Sequence, residues 1–315
     1  MTSNLMFENI SRAIILHHRD INKQRIPYNC EQNSTRPCIL FNLESPSYTE
    51  NLSENIHYHL TASYRFDSDI YVPYGKVELA KNVENIEKNI FTDEDLLLKN
   101  KSAAWLVSNC NTPGRREHYV KHLQKYQNVD IYGSCGSYKC DSTECLQNIS
   151  KSYYFFLSFE NSFHQDYATE KIFRILKYPI IPIVYGGANY SRILPENSYI
   201  DANKYEPSQL GELMKKLMSN KEQYKAFFNW KRYYKVNTDN IIANLVCKTC
   251  SLINEYDQKI YFPKNGVKYN DWFKSNRVST FKYWIHFKIF LFFLLFYILI
   301  KISYYYKNKK NKKFP

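Results

Sequence analysis

Glycine is scarce in this chain, at 8 of 315 residues. That excludes collagen-like and glycine-rich low-complexity architectures. No P-loop, no GxSxG elbow and no HExxH pair occurs, which removes three common signatures of phosphate-loop enzymes, serine hydrolases and zinc proteases. The first twenty residues lack a basic start followed by an apolar core, so no signal peptide is read there. Acidic residues are missing from the last fifteen positions, which carry six lysines. Long apolar runs are missing too, with one exception. Residues 289–300 are uncharged and apolar, and widening the window to 284–302 gives nineteen residues. Nineteen helical residues span roughly 28 Å, close to the ~30 Å of a hydrocarbon core. Lys288 and Lys301 could snorkel, and Tyr283 and Trp284 would sit in an interfacial belt. The expectation is a hydrophobic transmembrane helix over 283–302, followed by a basic tail over 303–315.

What is present reads as globular. Hydrophobic residues make up 44% and charged residues 23%, so neither wholesale disorder nor a polytopic membrane protein fits. The net charge is +13, but the six tail lysines supply much of it. The body is only mildly basic, and no nucleic-acid partner is expected. An anionic small molecule or a membrane surface suits such a charge. Eight cysteines and five N-x-S/T sequons, at Asn9, Asn33, Asn51, Asn148 and Asn189, point to an oxidising compartment. Cys247 and Cys250 form a lone CxxC, which reads as structural disulfide cysteines rather than a zinc knuckle.

Apolar runs rich in Ile, Val, Phe and Tyr predict strands over 13–16, 38–43, 103–107, 129–132, 153–159 and 180–185. Helical patterns fall over 115–126, 169–177 and 208–219. Such alternation predicts an α/β fold with parallel sheets covered by helices. The polar stretch 82–100 places a domain boundary near residue 98, and 132–149 reads as a cysteine-bearing loop.

Four stretches could carry chemistry. At 153–171 a strand ends in Glu160-Asn161, and a helix opens near Thr169-Glu170-Lys171. Ligands bind beyond the carboxyl ends of such strands. Free N–H groups at a helix start suit a phosphate, and Lys171 would add charge. At 105–116 a strand again runs into a loop, with Arg115 and Arg116 at the helix start. The helix dipole disfavours cations there, and a diphosphate would explain them. Glu44 ends an apolar strand before Pro46, where a general base could stand. Gly186-Gly187 follows another strand, where backbone could approach a ligand. Taken singly, each stretch also reads as an ordinary cap, turn or surface charge.

The series HHRD (17–20), FNLESPSYTE (41–50), SYRFDSDIYVPYG (63–75), WLVSNC (105–110), FFLSFENS (155–162), DYATEKIF (166–173), PIVYGGANYSRILP (182–195), FNWKRYY (228–234) and CKTC (247–250) resembles the α-1,3-fucosyltransferases of glycosyltransferase family 10. The resemblance implies a GT-B arrangement of two Rossmann-like domains. An acceptor-side domain, N-terminally truncated, would occupy 1–98, and a GDP-fucose-binding domain 99–275. It implies inverting transfer of fucose from GDP-β-L-fucose to the 3-hydroxyl of GlcNAc on a glycoprotein N-glycan. The core GlcNAc is favoured over Lewis-type acceptors on the YGSCGSYKC and GGANY segments. Glu44 would be the catalytic base. Ser108, Asn109, Arg116, Asn161, Tyr167, Glu170 and Lys171 would contact the donor. No cofactor is required, a divalent metal being at most stimulatory. The family usually has Tyr where this chain has Phe156. A Golgi membrane protein with a luminal catalytic domain is implied, and the final KKFP resembles a retrieval signal. The rival expectation is a catalytically inactive glycan- or GDP-binding relative.

Overall fold

The computed structural model describes residues 12–21, 37–80, 91–238, 240–255 and 264–274. All belong to one compact unit, Met1–Arg277. The helix expected over 283–302, the basic tail and the sequons at Asn9 and Asn33 lie outside the described residues. Among the described residues no helix is long and apolar enough to cross a membrane.

The first half contains β1 (Ile14–His17), α1 (His18–Ile21), β2 (Cys38–Asn42), β3 (His57–Tyr58), β4 (Leu60–Ser63) and β5 (Ile70–Tyr71). Four of these strands form a parallel sheet in the order β1-β2-β4-β5. Every β2 residue is buried, because the sheet is covered on both sides. Ile39 and Phe41 point into one cluster, Cys38 and Leu40 into another.

β6 (Lys76–Leu79) then leaves this sheet. α2 (Asp93–Leu97) starts on a Thr92–Asp95 capping box and leads into the second half. There follow β7 (Lys101–Leu106), α3 (Arg116–Leu123), β8 (Val129–Tyr132), α4 (Thr143–Ser152), β9 (Tyr153–Phe159), α5 (Glu170–Ile175), β10 (Ile181–Tyr185), β11 (Ile200–Asp201), α6 (Pro207–Ser219) and α7 (Lys221–Ala226). Their five strands form a parallel sheet in the order β8-β7-β9-β10-β11. Phe155, Leu157 and Phe159 of β9 face a core shared with α3 and α6, while Phe156 faces one shared with α4 and α5. Helices on both faces explain why β9 reads as one unbroken apolar run.

β12 (Tyr234–Asn237) pairs antiparallel with β6. The two stretches that join the halves are therefore zipped into one ribbon. α8 (Ile241–Glu255), β13 (Lys264–Asn265) and α9 (Gly266–Lys274) complete the chain. Leu245 of α8 and Tyr269 and Phe273 of α9 pack on the first sheet. The tail of the expected 99–275 block thus returns to the first half.

Two expectations need correction. The segment 132–149 is not all loop, since α4 starts at Thr143. Ser142 Oγ accepts the Cys145 N–H, and Leu146 and Ile149 bury one face. Cys247 and Cys250 are free, exposed thiols on α8 rather than disulfide cysteines.

Two lysines are buried in the second half. Lys99 Nζ donates to the carbonyls of Ser150 at 2.6 Å and Tyr153 at 2.8 Å. Lys231 Nζ donates to the Tyr178 carbonyl at 2.8 Å. Burial pulls Lys99 down to about 7 and Lys231 down to about 8. The folded state therefore binds these protons less readily than the unfolded state, and unfolding takes protons up. Stability rises with pH from each folded value towards the ordinary 10.5, by up to about 1.4 kcal/mol per group and pH unit. Chemical denaturation of Lys99→Met from pH 7 to 10 is expected to show a shallower rise than the parent. An unchanged slope refutes the assignment.

Candidate functional site

The second sheet has the strand order 2-1-3-4-5, so its topological switch point lies between β7 and β9. Loops leaving those neighbouring strands diverge to opposite faces and leave a crevice. A cleft of about 290 Å³ lies there. It is lined by six of the eight residues expected at the site: Ser108 and Asn109 after β7, Arg116 on α3, Asn161 after β9, and Glu170 and Lys171 on α5. Phe156 and Arg174 also line it. Arg174 was not foreseen, although it lies three positions after Lys171 and so on the same helical face.

Arg115 adopts a left-handed conformation, φ 49°, as the cap residue of α3 and stays exposed. Arg116 opens the helix and is only 3% exposed. Its Nη1 donates to the Phe159 carbonyl at 2.7 Å and its Nη2 to the Asn109 carbonyl at 3.1 Å. Its Nε is buried without a partner. Desolvation pulls the guanidinium below its usual range, against the opposing charges of Glu160 and Glu117. A cation tied to the ends of both flanking strands has almost no freedom left.

Lys171 is held differently. Its Nζ lies 3.1 Å from Glu160 Oε2, 2.7 Å from Thr169 Oγ1 and 3.6 Å from Glu170 Oε1. Burial draws its pKa down, but the carboxylates of Glu160 and Glu170 outweigh that, and the net shift is upward. Lys171 is a quarter exposed and keeps its charge in the cleft. The Thr169 N–H, expected free for a ligand, donates to Glu160 Oε1 at 2.8 Å instead.

Three expectations are placed otherwise. Tyr167 does not line the cleft. It is 2% exposed, with its ring edge-on to Tyr64 at 5.0 Å and to Tyr74 at 6.5 Å, inside the first half's core. Gly186 and Gly187 approach protein rather than a ligand. A Cβ on Gly187 would meet the His164 backbone at 2.6 Å, and one on Gly186 the Tyr190 hydroxyl at 2.5 Å. Glu44 lies beside the cleft, not in its wall. It is 31% exposed and paired with Arg19.

The loop carrying Glu44 is nevertheless fastened to the cleft's frame. Ser162 Oγ donates to Ser45 Oγ at 2.7 Å, and Ser47 Oγ lies 2.7 Å from His164 Nε2. Asn109 Nδ2 donates to the Tyr48 hydroxyl at 2.8 Å. Tyr74, whose hydroxyl donates to the Leu43 carbonyl at 2.6 Å, feels the charges of Glu44, Glu170 and Glu160 together. The loop that carries Glu44 is thus tied to the loops that frame the cleft.

This architecture has relatives. Residues 96–282 match Glycosyltransferase family 10 (fucosyltransferase) C-term, and residues 1–75 match Fucosyltransferase, N-terminal. The chain belongs to glycosyltransferase family 10. It is 33% identical over 294 residues to the Drosophila melanogaster Alpha-(1,3)-fucosyltransferase C, covering 85% of this chain and 67% of that one. It is 34% identical over 265 residues to the Drosophila melanogaster Glycoprotein 3-alpha-L-fucosyltransferase A, covering 81% of this chain and 51% of that one. A crystal structure of an alpha1,3-fucosyltransferase with GDP-fucose shares the fold. Its TM-score is 0.52 at 18% identity, over 80% of both chains. This family 10 glycosyltransferase is therefore GT-B-like in its α/β architecture.

Disulfides hold the cleft's rim. Cys110–Cys135 joins the loops after β7 and β8, next to Asn109, and Cys140–Cys145 pins the start of α4. Replacing Cys110 and Cys135 together by Ser is expected to lower stability by about 2–4 kcal/mol. It should also speed amide exchange at residues 107–111. Unchanged exchange there would show that the bridge does not organise the rim.

Proposed function

We propose that this family 10 member is an inverting α-1,3-fucosyltransferase. It moves L-fucose from GDP-β-L-fucose to the 3-hydroxyl of a GlcNAc in a glycoprotein N-glycan. The observation that carries this reading is the gathering of six expected donor contacts around one cleft at the switch point, with Arg116, Lys171 and Arg174 among its walls.

In the proposed reaction, Glu44 accepts the proton of the GlcNAc 3-hydroxyl as its oxygen attacks the anomeric carbon. A new C–O bond forms on the face opposite the diphosphate, and the bond from that carbon to the phosphate oxygen breaks. The electron pair leaves with GDP, whose growing charge faces Arg116 and Lys171. Fixed cations at a developing anion are the main catalytic lever, and a single such contact is worth about 2.7–4 kcal/mol. The carboxylate also favours the positive character of the sugar ring. Phe156 supplies an apolar wall of the cleft where a tyrosine would add a hydroxyl.

Two further parts of the proposal concern the acceptor and the place of action. The innermost GlcNAc is the favoured acceptor, and the likeness to a Glycoprotein 3-alpha-L-fucosyltransferase supports a glycoprotein as its carrier. Two disulfides on the cleft's rim support action in an oxidising lumen, proposed as that of the Golgi, with membrane attachment through 283–302.

Purified protein with GDP-fucose and two acceptors, an N-glycan core and a terminal lactosamine, tests the reading. Turnover on the core glycan is expected to exceed that on lactosamine, and the reverse preference reassigns the acceptor. Glu44→Gln should lower turnover about 10²–10⁴-fold while GDP binding is kept. Lys171→Ala should weaken GDP-fucose use by about 2.7–4 kcal/mol, measured below the variant's own unfolding temperature. GDP binding without turnover on either acceptor would instead support an inactive relative.

A further inference from the structure

We infer that Glu160 is a positioning residue of the donor site, a wholly buried carboxylate that fixes where the Lys171 ammonium stands. The inference rests on the donor-site reading above and deepens it.

Glu160 follows the last residue of β9 and has no exposed surface. An ionised carboxylate in such a place is tolerated only when its oxygens are fully paired. Both are. Oε1 accepts from the Thr169 N–H at 2.8 Å and lies 3.0 Å from Thr169 Oγ1. Oε2 lies 2.9 Å from the same hydroxyl and accepts from Lys171 Nζ at 3.1 Å. The single proton of Thr169 goes to the carboxylate, so its lone pairs are left to accept from Lys171 Nζ at 2.7 Å. Glu160, Thr169 and Lys171 therefore close a triangle. An ammonium has three N–H bonds. Two are spent in the triangle, and the third is left for a ligand in the cleft.

Glu170 does not do the same work. It is 48% exposed and 3.6 Å away, so solvent screens its pull. The triangle is also closed from behind. The Glu160 N–H donates to the Tyr185 carbonyl at 2.8 Å. A Cβ on Gly186 would lie 3.1 Å from Glu160 Cγ and 2.5 Å from the buried Tyr190 hydroxyl. The carboxylate's stem is thus packed against Gly186. Arg116, on the other wall, feels the same negative charge. Of the carboxylates that hold the Lys171 pKa up, Glu160 contributes the larger part.

The test is GDP binding by titration calorimetry across pH for the parent, Glu160→Gln, Lys171→Ala and the double variant. Glu160→Gln is expected to weaken GDP about tenfold or more and to move the alkaline loss of binding down by about one pH unit. In the Lys171→Ala background the same change should add less than about twofold, because the two residues act as one. Thermal unfolding monitors each variant. Should Glu160→Gln not fold, Thr169→Val serves in its place. It keeps the carboxylate and removes the bridging hydroxyl, and a weakening of about threefold is expected. Unchanged affinity and pH dependence in the folded variant, or effects that multiply in the double variant, overturn the positioning role. A parent protein that does not bind GDP overturns the donor reading itself.

Discussion

A negative charge sealed inside a protein has to be matched, and Glu160 sets that requirement at the mouth of the second sheet. Its carboxylate takes up the first free N–H of α5, the Thr169 hydroxyl and the Lys171 ammonium at once. Beyond the neighbouring strand it is sensed by Arg116, which the carbonyls of Phe159 and Asn109 hold in turn. The cations of the cleft are therefore in place before any ligand arrives. A site arranged in this way loses little on reorganisation when a second anion binds, the property that electrostatic preorganisation needs.

The second half was largely legible in the sequence because its strands are covered on both faces. β8 and β9 begin and end where their apolar runs do, at Val129–Tyr132 and Tyr153–Phe159. The helix at Pro207–Ser219 announces itself through Pro207 and its buried stripe of Leu210, Met214 and Leu217. By contrast, β3, β5 and β11 have two residues each, too few for any periodicity to register. α4 was hidden because only Leu146 and Ile149 mark its inner face among polar and cysteine residues. Within the site, the strand-to-loop residues were readable and the supporting ones were not. Glu160 looked like one acid in a motif, and its role exists only once Thr169 and Lys171 fold back over it. For Tyr167, nothing local says that its ring belongs to the core of the other half.

The seam between the halves combines small polar side chains and aromatic faces with an apolar insertion, Tyr167, into the first half's core. Ser45 meets Ser162, Ser47 meets His164 and Tyr48 meets Asn109. Farther along, the Arg192 guanidinium lies 3.6 Å above the Phe66 ring, and the Phe66 N–H donates to Asp166 Oδ2 at 3.2 Å. These bonds tie the Glu44 loop to residues that frame the cleft. A shift in either loop is therefore passed to the other, and Glu44 and the cleft walls are positioned together.

The paired β6 and β12 bear on how such a protein can breathe. With both polypeptide crossings knitted edge to edge over Lys76–Leu79 and Tyr234–Asn237, the halves share a spine rather than two separate tethers. A strip of this kind flexes readily out of its own plane and resists sliding within it. Sideways slippage of one crossing past the other would break the ladder bonds that hold them together.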